Sequence, residues 1–361
     1  MITPRFLSEW KDRSKVSGDV VFFPYASLDN CKKNKEVFVF DLDKTYLDTT
    51  IDSLKGLVNT AIEKAFQKKN VPGTASLVRA LKRSWETKYG DNLPLFFITA
   101  SPPQLEKKIL EKLTIDGVKP FGIFCKDNLQ NVHPKRMWRL TQQVGFKLQA
   151  LLQLRILLGN EVKQILFGDD SESDAIIYSL YSDFCSRRLS EEEIKRILKS
   201  FRVVGSQMNT IIDLLRKVPI QDPVSKIYIN LAIDTDSEYY LKFGRRTVPT
   251  YNSFQTALDL FQSGHLEREG VVRVGHDLQE NFGFSKDELS NHLDDMIRRR
   301  VIGKESLESL LEDLQKNLLV SSHFTPSIEP VCLNCSEDGE AESSEYEPWV
   351  PEVIDYLHDY R

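Results

Sequence analysis

Asp41 and Asp43 stand directly after the apolar run Val37-Phe-Val-Phe40. Four consecutive apolar residues read as a strand buried on both faces, the kind found inside parallel sheets. Two carboxylates at the end of such a strand are badly placed for stability, because desolvating paired negative charges is costly unless a cation sits between them. A metal or a catalytic role would account for that cost. Strand alternation puts Asp41 and Asp43 on one side of the chain, with Lys44 directed elsewhere.

Further along, residues of matching chemistry recur in similar settings. Thr99 closes the run Leu93-Pro-Leu-Phe-Phe-Ile98, Lys147 lies near the start of an apolar helical stretch at 146–158, and Gly168-Asp169-Asp170-Ser-Glu-Ser-Asp174 follows the strand pattern from Val162. Singly, each has an ordinary reading. Asp43 or Thr45 could cap a helix, Thr99 could end a strand, Lys147 could be solvated, and Asp169-Asp170 could form a turn. Capping and turn formation, however, predict no such order along the chain. An all-oxygen acidic site suits Mg²⁺ better than zinc.

The set Asp41-x-Asp43-x-Thr45, Thr99, Lys147 and Gly168-Asp169-Asp170 to Asp174 resembles, in that order, the motifs of the haloacid dehalogenase-like superfamily of phosphohydrolases. The resemblance implies a Mg²⁺-dependent phosphatase in which Asp41 attacks phosphorus and becomes an aspartyl phosphate. Asp43 would protonate the leaving alcohol and then take a proton from the hydrolysing water. Asp41, the backbone carbonyl of Asp43 and the carboxylate of Asp169 would hold the metal. Thr99 would donate to the phosphoryl oxygens, and Lys147 would neutralise charge between Asp41 and the substrate. Asp174 is expected to orient metal-bound water or Lys147, Asp170 ranks behind Asp169 as a ligand, and Thr45 shapes the loop.

A narrower likeness concerns the substrate. Thr99-Ala-Ser101-Pro102 and Gly168-Asp-Asp-Ser-Glu-Ser-Asp174 look like the S-x-S-P and G-D-S-G-x-x-D elements of the actin-patch-type and lipin-related phosphatidate phosphatases. That likeness implies removal of phosphate from phosphatidate, a phospholipid at a membrane surface, to give diacylglycerol. Lys44 stands where those enzymes tend to have an acid or glycine, and Asp170-Ser171-Glu172 replaces their Ser-Gly pair. Other substrates within the same chemistry are a phosphoprotein and a soluble phosphometabolite. A reading of another class is a non-catalytic phosphate-binding scaffold.

The elements that must position these residues alternate along the chain. Apolar positions from Leu54 to Phe66 predict an amphipathic helix to Lys69, and Ser76–Trp85 predicts a second. Pro103–Leu113 predicts a Pro-initiated helix, Gly122–Cys125 a short strand, and Ser171–Tyr181 a helix after the acidic turn. This succession predicts an α/β, Rossmann-like open parallel sheet with helices on both faces, its site beyond the carboxyl ends of the strands. The gap between the first two motifs has no room for a large cap, which favours an accessible site. Ser190-Glu-Glu-Glu193 reads as a capped helix start. Helices at 205–217, 252–263, 285–300 and 304–319 and a strand near 227–233 complete a mostly helical carboxy-terminal region.

The resulting division is a lead-in at 1–36, a catalytic domain at 37–189, the helical region at 190–324, and an acidic, flexible tail at 325–361, in which Trp349–Leu357 could dock as a short helix. The chain of 361 residues, with 41% hydrophobic content and a net charge of -5, can fill a core and gives no reason to expect nucleic acid. Five scattered cysteines suit a reducing compartment rather than a disulfide framework. The charged amino terminus and the lack of a membrane-length apolar run lead to an expected cytoplasmic location, with peripheral membrane contact. Arg298-Arg-Arg300 closes a predicted helix, where cations suit the dipole, and could also meet anionic lipid; Arg245-Arg246 is similar.

Overall fold

The computed structural model describes residues 10–27, 35–48, 69–127, 139–171, 173–332 and 353–358. The helix expected at 54–69 and most of the tail lie outside these residues. Strands β1 (Lys15–Ser17), β2 (Val20–Pro24), β3 (Glu36–Asp41), β4 (Leu95–Thr99), β5 (Gly122–Lys126), β6 (Lys163–Asp169), β7 (Val224–Asn230) and β8 (Thr247–Thr250) form one eight-stranded sheet in the order β1-β2-β5-β4-β3-β6-β7-β8. From β5 to β8 every neighbouring pair is parallel, while β1 and β2 are antiparallel. The fold is therefore α/β with a mostly parallel sheet.

The unbroken apolar runs have a direct cause in this arrangement. Val37 and Val39 face one helical layer, whereas Phe38 and Phe40 face the other, so no position from Val37 to Phe40 is left for water. One layer holds α3 (Arg139–Leu157), α4 (Asp174–Cys185), α5 (Glu191–Ser200) and α6 (Gly205–Leu215). The opposite layer holds α1 (Thr74–Tyr89), α2 (Glu106–Ile115), α7 (Ser253–Gln262), α8 (Arg268–Phe282), α9 (Lys286–Arg298) and α10 (Lys304–Lys316). On that second face Phe40 stacks on Phe167 with ring centroids 3.9 Å apart, and Phe167 stacks on Tyr228 at 4.9 Å. This aromatic ladder ties β3, β6 and β7 together just beneath the acidic strand ends.

Several local expectations need adjustment. Residues 1–36 contain a β-hairpin turning at Gly18, and it covers the β5 edge of the sheet. The stretch at 190–324 contributes β7 and β8 to the same sheet and helices to both layers. Helix α3 begins at Arg139, earlier than the apolar pattern from Phe146 predicts, which puts Lys147 in its interior. Pro103 opens a 3₁₀ turn, and the α-helix proper starts at Glu106. The capping box at Ser190 is present, with Glu193 returning a bond to the Ser190 backbone. Helix α8 mixes its apolar residues with charge and strand β8 is short and carries Pro249, so neither has a clear sequence pattern. Near the end of the chain, Tyr356 is buried and donates to Asp183 Oδ2 at 2.6 Å, so this part of the expected tail is docked on α4. Cys332 is disulfide-bonded, against the expectation from cysteine spacing, while Cys125 and Cys185 are free and buried.

Candidate active site

Connectivity determines where a site can form. The chain moves outward from β3 through β4 to β5, then returns to the other side of β3 to form β6, β7 and β8. The connections leaving β3 and β6 therefore diverge, opening a crevice at the carboxyl ends of those two strands. Asp41 is the last residue of β3 and Asp169 the last of β6.

Asp41, Asp169 and Asp174 are all buried, and each offers a carboxylate oxygen within 4.8 Å of the others. Lys147, only 1% exposed, reaches the same point from the interior of α3. Its Nζ lies 2.8 Å from Asp41 Oδ1 and 2.5 Å from Asp174 Oδ1. Asp174 Oδ2 meanwhile accepts from the Asp169 backbone N–H at 3.3 Å. Asp174 is thus the link that couples the lysine to the end of β6, and it sits inside the acidic cluster rather than behind it. Gly168 makes this possible, since a Cβ there would lie 2.5 Å from both Asp174 Cβ and Oδ2.

The loop after Asp41 is tight. Leu47 N–H donates to Leu42 O at 2.9 Å and Lys44 N–H to Leu47 O at 2.7 Å. Closing this turn sets Lys44 at φ 60, in the left-handed region where glycine is the residue at least cost. The loop leaves Asp43 half-buried and places Thr45 Oγ1 3.4 Å from Asp169 Oδ2. Thr99 Oγ1 donates to Asp43 Oδ2 at 2.8 Å and accepts from Ser101 N–H at 3.1 Å. A hydroxyl has one proton, and in this geometry Thr99 gives it to Asp43.

Of the adjacent pair after β6, geometry brings Asp169 and not Asp170 to the cluster. Asp169 Oδ1 accepts from Ser171 N–H at 2.6 Å and from the Ser171 hydroxyl. Asp170 Oδ2 turns to the loop after β7, accepting from Ala232 N–H at 2.8 Å and Thr235 Oγ1 at 2.5 Å. Strand β6 ends at Asp169, and Asp170, already in the turn beyond it, is held away from the cluster by these two donors.

Sequence reasoning missed one neighbour of the cluster, Tyr178, and one buried cation, Arg155, at the opposite end of β6. Tyr178 is buried beside the cluster and donates to Phe167 O at 3.0 Å; burial, aided by the Asp174 carboxylate, raises its pKa and keeps it a neutral donor. Arg155, 1% exposed, donates to Val162 O at 2.8 Å and Asn160 O at 2.6 Å, fixing the turn that feeds β6. A tyrosine in an apolar helix and an arginine near a helix end have no distinctive spacing that would have singled them out.

The donor set fits a small divalent cation. Three buried carboxylates converge, all donors are oxygen, and neighbouring oxygens around one octahedral Mg²⁺ are separated by about 3 Å. Lys147 contributes one positive charge to these three carboxylates, and a bound cation would offset the excess.

Residues 37–198 match the family model described as Phosphatidate phosphatase APP1, catalytic domain. The matched segment contains every residue of the cluster, from Asp41 through Thr99 and Lys147 to Asp174. The match supports a phosphatase. No curated protein and no solved structure matches the chain.

Proposed function

We propose that this protein is a Mg²⁺-dependent phosphatase with a haloacid dehalogenase-like, Rossmann-like catalytic unit, and that its substrate is phosphatidate. The observation that carries the reading is the convergence of Asp41, Lys147, Asp169 and Asp174 at the sheet's switch point, within the segment that matches a phosphatidate phosphatase catalytic domain.

Asp41, fixed through Oδ1 by Lys147, is the nucleophile. Its carboxylate forms a bond to phosphorus while the bond to the alcohol oxygen breaks, giving an aspartyl phosphate. Asp43 gives that oxygen a proton, then accepts one from the water that hydrolyses the intermediate and regenerates Asp41. Thr99 holds Asp43 for both transfers through the 2.8 Å hydrogen bond. Lys147 neutralises negative charge on the transferring group and is itself oriented by Asp174. Asp41, Asp169 and Asp174 would hold Mg²⁺, which supplies electrostatic stabilisation of the phosphoryl oxygens when bound. Asp43 contributes no carboxylate to that cluster; a backbone contact to the metal is the part of its role that the resemblance supplies.

Among the described residues no helix is long and apolar enough to cross a membrane. In this proposal, substrate is met at a membrane surface. The test is phosphate release from phosphatidate, a phosphopeptide and a soluble phosphomonoester, each with Mg²⁺ or EDTA. Turnover should favour phosphatidate and vanish with EDTA, and Asp41→Asn should lower it by at least about 10³-fold. Equal rates with and without metal, or full activity in Asp41→Asn, would refute the mechanism; preference for another substrate would refute the lipid assignment alone.

A further inference from the structure

The two basic clusters at Arg245-Arg246 and Arg298–Arg300 are far apart in sequence, yet Arg245 and all of Arg298–Arg300 line one cleft of about 960 Å³. It lies at the free edge of the sheet, beside β8. That edge is three strands from β3, about 14 Å at ordinary strand spacing, so the cleft is separate from the Asp41 cluster. It is not a site for an added strand. Pro249 has no N–H to offer there, and its carbonyl already accepts from Arg299 Nη1 at 2.9 Å.

The charges of the cleft are unequally committed. Lys226 pairs with Asp259 at 2.7 Å, and Arg299 pairs with Asp295 at 2.7 Å. Asp236 accepts from Glu238 N–H at 2.9 Å, capping the 3₁₀ helix that forms one wall. Glu238 and Glu329 are the remaining acids, both exposed at the rim. Arg245 is exposed, and among the described residues no acid pairs with it. Arg298 is 56% exposed and approaches Asp294 and Asp295 no closer than 3.5 Å and 3.6 Å, with Asp295 already served by Arg299. Arg245 thus presents donors to the cleft without an acidic partner and Arg298 with only long contacts to acids, and guanidinium donors match the oxygens of a phosphate.

Leu241, Val248, Val301 and Ile328 give the lining its apolar part, beside the polar Ser237 and Gln262. Thr247 lies among these groups, 5% exposed, with its Oγ1 buried and lacking a hydrogen-bond partner. Buried hydroxyls are normally satisfied, and this one, beneath the cleft wall, marks a polar position that the protein itself does not serve. The volume is at the upper end for small-molecule sites, which combine apolar walls with a few placed polar groups.

We infer that this cleft is a second binding site, for a phosphate-headed amphiphile, with the headgroup on Arg245 and Arg298 and the chain along Leu241, Val248, Val301 and Ile328. Neither the Asp41 chemistry nor the identity of its substrate is needed for this assignment. The site takes one amphiphile molecule and is not consumed by the reaction.

The probe is dodecyl phosphate below its micelle concentration, titrated calorimetrically into the full chain carrying Asp41→Asn in EDTA, with inorganic phosphate and dodecylphosphocholine as comparators. Arg245→Glu/Arg298→Glu in the same background should weaken dodecyl phosphate by at least about tenfold, and Thr247→Val by a few-fold. Inorganic phosphate and dodecylphosphocholine should each bind at least about tenfold more weakly than dodecyl phosphate. Because both arginines are exposed and outside the Asp41 cluster, the charge-reversed protein with Asp41 intact should hydrolyse a soluble phosphomonoester at the unaltered rate. Unchanged affinity in both the arginine and the Thr247 variants would overturn the proposal. Equal binding of inorganic phosphate would reduce the site to one for a bare anion and overturn the amphiphile assignment, and equal binding of dodecylphosphocholine would overturn the role given to net negative charge.

Discussion

Replacing Gly168 by alanine tests whether the cluster is held by close packing. In the folded chain the added Cβ would lie 2.5 Å from Asp174 Cβ and Oδ2, about 1 Å inside ordinary carbon contact. The obstacle is the base of a short side chain at the first turn of α4, not the far end of a flexible one, so relief requires the helix start or the strand end to move. Such overpacking costs about 1–3 kcal/mol of stability. The functional effect should be larger than the loss of stability suggests. Asp174 holds Lys147 Nζ at 2.5 Å and the Asp169 N–H at 3.3 Å, so a shift of Asp174 displaces both the lysine and the strand end that faces Asp41. A displacement near 1 Å costs about 10²-fold in turnover. Urea unfolding and phosphate release measured on the same preparation separate the two effects. Gly205→Ala is the matched control, because nothing lies within 4 Å of a Cβ placed there. If Gly168→Ala behaves like Gly205→Ala in both assays, the packing argument is wrong.

Two other perturbations probe the frame around the site. Lys44 is held at φ 60, so Lys44→Gly should leave stability within about 1 kcal/mol of the parent, whereas the β-branched Lys44→Val should lose about 1–2 kcal/mol in urea unfolding. Equal stability of the two variants would mean that the left-handed turn is not maintained in solution. At the start of β3, the hydrogen bond from His265 holds the Glu36 carboxyl below its ordinary value of 4.5. A depressed carboxyl pKa gives stability that is present above 4.5 and is lost as pH falls through the folded-state value. Chemical denaturation at a series of pH values should therefore show a shallower acid decline for Glu36→Gln than for the parent, and parallel curves would exclude this pair as a source of acid sensitivity.

How much of this was legible in advance can be read from particular residues. The apolar runs at Val37–Phe40 and Leu93–Ile98 announced strands buried on both faces, because a parallel sheet between two helical layers leaves no polar side. The order of the aspartates, Thr99 and Lys147 announced a charged site at the strand ends, since single-residue explanations such as caps and turns do not predict an order. The hairpin at 15–24 and strand β8 were not legible. Both are short edge strands whose stability comes from neighbours distant in sequence, and β8 contains Pro249, which demotes any strand pattern. The start of α3 at Arg139 was hidden as well, because its first turns mix polar and apolar residues without a clear period.

The residue types at Asp41, Asp43, Asp169 and Asp174, and the strand ends at or just after which they stand, were determined by local sequence, where hydrophobic runs stop and acids begin. What only the tertiary structure decided is which of them meet. Spacing could not choose between Asp169 and Asp170; the turn that follows β6 did, leaving one carboxylate beside Asp41 and holding the other on Thr235. Nor could it show that Thr99 donates to Asp43, that Asp174 joins Lys147 to β6, or that Arg245 and Arg298 share a cleft. Those pairings depend on strand order and helix placement, which arise from packing of the whole sheet and are not encoded in any one stretch of chain.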